Sequence, residues 1–406
     1  MRVSYYVLLF FFSIVVACNK PDAVLPKSPV EIDNEGSSSV NQCPQGTSGE
    51  AVEGRYIVAL KSEAENSVTI ANIRDRKRYV RSRVNELMEK KKLAFSATHV
   101  YYSAFEGFAG ELSDSAVKVL EQDPLIESVE KDYFISLGQN SDKSSSEINT
   151  QISPWGVRRV GKGTASENTV WVLDTGIDLN HSDLNVDQQR SVSFVCSEPG
   201  LNDRHGHGTH IAGIIGAIDN DYGVVGVAPG NILVSVKVMD GNGDGTVSNV
   251  MEGLDYVYRY AQKGDVVNMS LSGGISNALD QLVRKIATEK NIYFAIAAGN
   301  ESQNACSLSP QRVSHDNVFT VSAMDSTDSF ASFSNFGVCV DFCAPGDKIL
   351  STYPEGKYAY LSGTSMASPH IAGLLLQKNG MTQDGVVKND PDGKADPIMT
   401  VRRSEN

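Results

Sequence analysis

Positive charge is in deficit in this 406-residue chain. Its 36 Lys and Arg stand against 49 Asp and Glu, which gives a net charge of -13 and a pI near 5.1. Phosphate binding needs a basic face, so nucleic acid is excluded as the main partner. Long apolar runs are also lacking. The stretch from about Val7 to Val16 is too short to cross a bilayer and has the layout of an export signal, with Arg2 before it and small residues after it. Cysteine is sparse, at six residues. If Cys18 is modified, the remaining five cannot all pair within one chain. With 41% hydrophobic and 21% charged residues, the chain is neither disordered nor fibrous.

The leader reads "MRVSYYVLLFFFSIVVACNK". Its "VVAC" is similar to the lipobox of bacterial lipoproteins, which implies cleavage before Cys18, a lipid on that cysteine and residence in the cell envelope. Val15 and Ala17 also fit the small-residue rule of ordinary signal cleavage, so secretion without an anchor stays open beside the favoured anchored route. Both lead out of the cytoplasm, into a compartment that permits disulfides.

Beyond the signal at 1–18, composition divides the chain. Residues 19–53 are Pro-, Ser- and acid-rich without periodicity and read as a tether. Residues 54–138 alternate strand and helix patterns. "GRYIVAL" is a strand, Asp75 to Lys92 a basic helix with Val80, Val84, Leu87 and Met88 at helical spacing, and "IESVEKDYFISL" a last strand. That order predicts a small α/β sandwich of ferredoxin-like type. A polar linker follows at 139–152.

From 153 to 406 strands and helices alternate, and the strands ("TVWVLD", "ILVSVKVMD", "DVVNMSL", "YFAIAAGN") are almost continuously apolar. Such runs belong to a mostly parallel sheet covered on both faces, so the predicted fold is a doubly wound α/β domain. Ligands in such sheets bind at the carboxyl ends of the strands. Those ends carry Asp174 and Asn300. His207 opens the glycine-flanked "HGHGTHIAG", and Ser365 in "GTSMASPH" sits at the start of a helix, where unpaired N–H groups favour negative charge. Each alone reads as a cap, a core histidine or a turn residue. Together they supply the carboxylate, imidazole, hydroxyl and amide that acyl transfer by serine needs.

The blocks "VWVLDTGIDLNHSDL", "HGHGTHIAGIIGA", "VVNMSLSGG", "AIAAGN" and "SGTSMASPHIAGL" resemble the signatures of subtilisin-like serine proteases, especially the proteinase K branch. The preceding unit resembles that family's inhibitory propeptide. The resemblance implies that Asp174 orients His207, that His207 is general base then acid, and that Ser365 attacks. It makes the Asn300 side chain and the Ser365 N–H the oxyanion hole. Extended peptide would be clamped between Ser270, Leu271, Ser272 and Gly273 on one edge and Gly243, Asp244 and Gly245 on the other. Ala297, Ala298 and Gly299 would line the pocket for the residue before the cut. It also implies a Cys306–Cys339 disulfide, a structural calcium at Asp341 with carbonyls near Asp316 and Val318, no cofactor for catalysis, and a monomer. Its partners would be peptide substrates and its own propeptide, with a membrane reached only through a lipid on Cys18.

A metal site at His205, His207 and His210 is the competing reading of the histidines, but no cysteine signature accompanies them. Only 41 residues follow Ser365 (406 minus 365), and the glycine-rich closing motif with its final helices is not recognisable there. That departure sustains a second class of function, a surface-binding or self-inhibited module that keeps the site without turnover. A lipase or esterase of the α/β-hydrolase type orders its triad Ser, acid, His and fits less well.

Overall fold

The computed structural model describes residues 46–61, 73–137, 145–196, 198 and 200–402. The signal, Cys18 and most of the tether lie outside these residues. The small unit runs β1 (Ala51–Leu60), α1 (Ile73–Lys91), β2 (Ser96–Tyr101), β3 (Gly107–Glu111), α2 (Asp114–Glu121) and β4 (Ile126–Ser136), with sheet order β2-β3-β1-β4, all antiparallel. Val80, Val84, Leu87 and Met88 on α1 are all buried against Val58, Phe108 and Leu120. The predicted stripe is therefore the face that packs on the sheet.

After a two-residue strand β5 (Ser145–Ser146), the large unit begins with α3 (Trp155–Val160). Then come β6 (Val170–Asp174), β7 (Val192–Ser193), α4 (His207–Gly216), β8 (Leu233–Lys237), β9 (Asp244–Thr246), α5 (Val247–Tyr260), β10 (Val266–Met269), α6 (Asn277–Lys290) and β11 (Tyr293–Ala297). It ends with β12 (Val318–Met324), β13 (Phe342–Pro345), β14 (Ile349–Tyr353), β15 (Lys357–Leu361), α7 (Thr364–Leu375), β16 (Met381–Val386) and β17 (Pro397–Val401). The main sheet has the order β16-β17-β13-β12-β11-β10-β6-β8-β7, parallel throughout except for the β16–β17 hairpin. Strand order reverses between β6 and β10, so the carboxyl ends of those two strands face one crevice.

The short carboxyl end closes the sheet by the β16–β17 hairpin. β17 adds beside β13, pairing Ile398 with Cys343, and buries Ile398 and Val387 against Met324 and Cys343. Arg159 ties the hairpin back, bonding Asp328 at 2.8 Å and Asp384 at 2.9 Å. Sequence periodicity did not announce this hairpin, because "MTQDGVVKNDPDGKADPIMTV" is interrupted by turn residues and its partner strand is over fifty residues away.

The two units share a sheet. β4 continues onto β9 of the large unit with Phe134 opposite Thr246, Ile135 opposite Gly245 and Ser136 opposite Asp244, and the Leu137 N–H donates to the Gly243 carbonyl at 3.1 Å. Carboxylates reinforce the contact at helix starts. Asp132 accepts from the Ser248 N–H (3.0 Å) and hydroxyl (2.6 Å) at α5. Glu130 accepts from the Asn277 N–H (3.0 Å), the Ala278 N–H (3.2 Å) and the Ser276 hydroxyl (2.5 Å) at α6. In the other direction Asp255 of α5 accepts from the Ser103 and Ala104 N–H groups at 3.0 and 2.8 Å. Each satisfies donors that a helix start or turn leaves unpaired, and Asp132 and Glu130 also sit at the positive end of a helix dipole.

Replacing Glu130 with Ala is therefore expected to cost about 1 kcal/mol, the usual worth of a helix cap. Denaturant unfolding of the full chain checks it, and an unchanged midpoint would mean that the α6 cap is satisfied by Ser276 alone.

Candidate active site

Asp174 ends β6, is fully buried and accepts from the Thr175 N–H at 2.8 Å. Its two oxygens lie 2.8 and 3.0 Å from His207 Nδ1, so Nδ1 carries the proton and Nε2 is left as the basic nitrogen. His207 is placed by the turn before α4. Gly206 has φ +99, and a Cβ there would sit 2.3 Å from the Tyr353 ring, so only glycine fits. Asp203 fixes the turn by accepting from the N–H groups of His205, Gly206 and Thr209 at 2.8–2.9 Å, and from the hydroxyls of Thr175 and Thr209. The sequence reading missed Asp203. Its signal, an acid three residues before a glycine-capped helix, is common to many turns.

Ser365 lies in the first turn of α7, which packs on α4 and crosses the ends of β10 and β11. Its Oγ donates to the Ser270 carbonyl at 3.3 Å. Ser270, expected as a cleft-lining residue, turns its own side chain inward, where its hydroxyl donates to the Ser365 carbonyl at 3.0 Å and accepts from Asn268 at 2.9 Å. It holds the turn that carries Ser365 to the strand beneath it.

Asn300 is exposed at the end of the loop after β11. Its Oδ1 accepts from the Thr364 N–H (2.8 Å) and hydroxyl (3.0 Å), which directs Nδ2 outward over the turn that carries the Ser365 N–H. Thr364 and Asn335 are the supports that the sequence reading did not foresee. Asn335 is wholly buried and spends every bonding group on the loop 298–303. Its Nδ2 donates to the Ala298 carbonyl (3.0 Å) and to Glu301 (2.8 Å), and its Oδ1 accepts from the Glu301 and Gln303 N–H groups (3.0 and 2.9 Å). Gly299, φ +103, leaves room for the Asn335 amide, which a Cβ there would meet at 2.3 Å.

The other expected site residues fall around this centre. Gly243, Asp244 and Gly245 form the edge that β4 occupies. On the facing edge Gly273 lies against Ile135, and the Ser272 carbonyl accepts from the Ser48 hydroxyl at 3.3 Å. Leu271 and Ala297 are joined through Gln311, whose Nε2 donates to both carbonyls at 2.9 and 2.7 Å. Ala298 packs with Ala305 and Val340 beside the Cys306–Cys339 disulfide, which forms as expected.

His210 turns away from His207 to the carbonyls of Ile349 and Ala359 (3.0 and 3.1 Å), and burial pulls its pKa down to about 3. Among the described residues no three His, Cys, Asp or Glu side chains converge on a metal position. Asp341 accepts from the Thr320 N–H at 2.8 Å; it is exposed at the surface, and partial desolvation by the surrounding protein pushes its pKa up to about 6. Val318 lies two residues upstream on the same strand, and Asp316 is exposed just before it.

Residues 165–384 match the model of the subtilase family, and residues 55–138 match that of peptidase inhibitor I9. The chain belongs to the subtilase family. It is similar to the subtilisin-like serine protease AsES of Sarocladium strictum, 37% identical over 312 residues that cover 72% of this chain and 75% of that one. Alkaline serine exoprotease A of Vibrio alginolyticus is 37% identical over 304 residues, covering 71% of this chain and 55% of its own. A solved cold-adapted subtilisin-like serine proteinase superposes with a TM-score of 0.54 at 36% identity, over 62% of this chain and 98% of that one. This subtilase is thus a serine endopeptidase whose inhibitory I9 domain precedes the catalytic domain.

Removing the Asn335 amide (Asn335→Ala) strands four bonds of the loop that carries Asn300. At about 1–3 kcal/mol for unmade buried bonds, kcat/KM should fall ten-fold or more. Steady-state hydrolysis of a peptide anilide measures it, and wild-type kcat/KM would show that the loop holds itself.

Proposed function

We propose that this subtilase hydrolyses peptide bonds through Asp174, His207 and Ser365, with Asn300 Nδ2 and the Ser365 N–H as oxyanion donors. The observation that carries the reading is the two-oxygen hold of Asp174 on His207 Nδ1, at 2.8 and 3.0 Å, on a helix packed against the one that begins at Ser365. Ser365 Oγ leaves the Ser270 carbonyl, passes its proton to His207 Nε2 and bonds the scissile carbonyl carbon. Asp174 balances the imidazolium, and the two donors hold the oxyanion. The imidazolium then protonates the leaving amine, an acyl-enzyme forms, and water releases the acid by the same steps.

The first substrate is the chain's own linker. Leu137 ends on the Gly243 edge, and the chain is next described at Ser145–Ser146, paired with Ala359 and Tyr358 of the strand that runs into Gly363 and Ser365. Residues 138–144, between them, lie outside the described ones. Cutting between about Leu137 and Asn149, largely within the polar linker, makes the I9 domain an inhibitor that has been its own substrate. The signal-like leader supports action outside the cytoplasm. Mass spectrometry of the amino terminus separates a lipid on Cys18 from plain secretion.

Calcium at Asp341, completed by carbonyls near Asp316 and Val318, fits an exposed carboxylate, because calcium is held by oxygen ligands alone. With its pKa raised to about 6 from an ordinary value near 4, uncalcified Asp341 holds a proton that unfolding releases. Stability from this group is therefore lost as pH rises through that range, and a bound cation reverses the loss.

Ser365→Ala should abolish casein hydrolysis and linker cleavage together, and persistence of either would remove the serine from the chemistry. Asn300→Ala should fold normally and lose roughly 10²- to 10³-fold in kcat. A rise in KM alone would make Asn300 a binding residue. Chelation should lower the thermal midpoint more at pH 8 than at pH 5, and equal effects at both would dismiss Asp341 as the ligand.

A further inference from the structure

Of the four cysteines within the described residues, Cys306 and Cys339 bond each other and Cys343 is a buried free thiol, yet Cys196 is also disulfide-bonded. The chain has six cysteines, so the partner of Cys196 is Cys18 or Cys43, both of which precede the I9 domain. We propose that Cys43 is that partner, and that this inter-domain disulfide holds the I9 domain on the enzyme after the linker is cut.

The described residues bring the two ends together. Gly46 lies against Phe134, where a Cβ on the glycine would come 2.3 Å from the ring. Phe134 pairs with Thr246, whose hydroxyl caps α5 at Asn249, and the Asn249 side chain donates to the Phe194 carbonyl at 3.1 Å. Cys196 is two residues beyond Phe194, and it is exposed. Cys43 is three residues before Gly46, a reach of about 10 Å at most in extended chain. Cys18 is 28 residues before Gly46 (46 minus 18). Loop-closure entropy puts it at a disadvantage of about an order of magnitude in effective concentration, and removal or lipidation at the signal takes it out altogether.

Forming the bond oxidises both thiols. Two protons and two electrons pass to a disulfide oxidant, either a dithiol–disulfide carrier protein or an oxidised low-molecular-weight thiol, whose own S–S bond breaks to give two thiols. Compartments outside the cytoplasm supply such oxidants. Because Cys196 is exposed, the same exchange can run backward, so activation answers to reductant as well as to proteolysis of the I9 domain. This device rests on the self-cleavage reading above, but the bond itself does not.

Two experiments separate them. In full-length Ser365→Ala, where no cut occurs, alkylation, digestion and mass spectrometry without reductant should find a peptide joining Cys43 to Cys196. A free Cys196, a Cys18–Cys196 peptide or a link between two chains would overturn the pairing whatever the enzyme does. In the active protein, the cut product should run as one species without reductant and as two with it. Cys196→Ser should give two in both lanes. A linked inhibitor acts at an effective concentration near the millimolar range, so diluting cut wild type from about 1 µM should leave its inhibition unchanged, whereas Cys196→Ser should gain activity on dilution. Wild type that gains activity in parallel would refute covalent retention, and casein hydrolysis in the same samples reports separately whether the protease reading stands.

Discussion

The antiparallel addition of β4 to the Gly243–Gly245 edge is the contact on which the arrangement of this molecule depends. It makes one sheet out of two domains, and it fills the groove of the larger domain with main chain of the smaller one. An edge strand bristling with unpaired N–H and C=O groups is a liability unless it is covered. Here the cover is inhibitory by construction, because the bonds that satisfy the edge are those an extended peptide would make with it. A peptide substrate added to this edge would be recognised by the same bonds as the inhibitor. The inhibitor differs in having its strand rigidly backed by β1, α1 and α2, which lowers the ordering cost of binding.

The carboxylates at the interface follow the same economy of parts. Asp132, Glu130 and Asp255 each sit where a helix or turn begins, and each belongs to the domain opposite the donors it satisfies. Burial raises the pKa of all three, with desolvation the largest cause in each case, and the hydrogen bonds they accept act against that rise. A cap supplied by a neighbouring domain costs stability when the neighbour leaves, so the starts of α5 and α6 are complete only in the joined state.

The architecture was legible in the sequence because the strands of a parallel sheet cannot hide. β6, β8, β10 and β11 are buried on both faces apart from Tyr293, and they read as nearly continuous apolar runs. Asp174, His207, Asn300 and Ser365 were found from position, at strand ends and helix starts, before any family pattern was invoked. What stayed hidden was the set of residues that act through a distant partner. Asn335 reaches back more than thirty residues to the loop around Asn300, and Glu130 reaches forward 146 to Ser276. Neither leaves a periodicity or a local motif, because a buried amide that clamps a loop and a carboxylate on a strand look like any other polar residue until the chain folds.

The carboxyl end teaches the complementary point about what a motif does. Its glycine-rich closing pattern is absent, yet the sheet edge beyond β13 is covered by β17 and its hairpin partner. What the fold requires there is an apolar side chain over Cys343 and Met324 and a strand to take up the hydrogen bonds of β13, and Ile398 and its neighbours supply both. The catalytic half tolerates no such freedom. In the proposed mechanism His207, Ser365 and the Asn300 amide would have to meet reacting atoms within fractions of an ångström, and each is pinned by a buried group, Asp174, Ser270 and Thr364 in turn, that packing alone would never demand. This difference in tolerance explains why the active-site blocks were readable as patterns while the closure of the fold had to be seen.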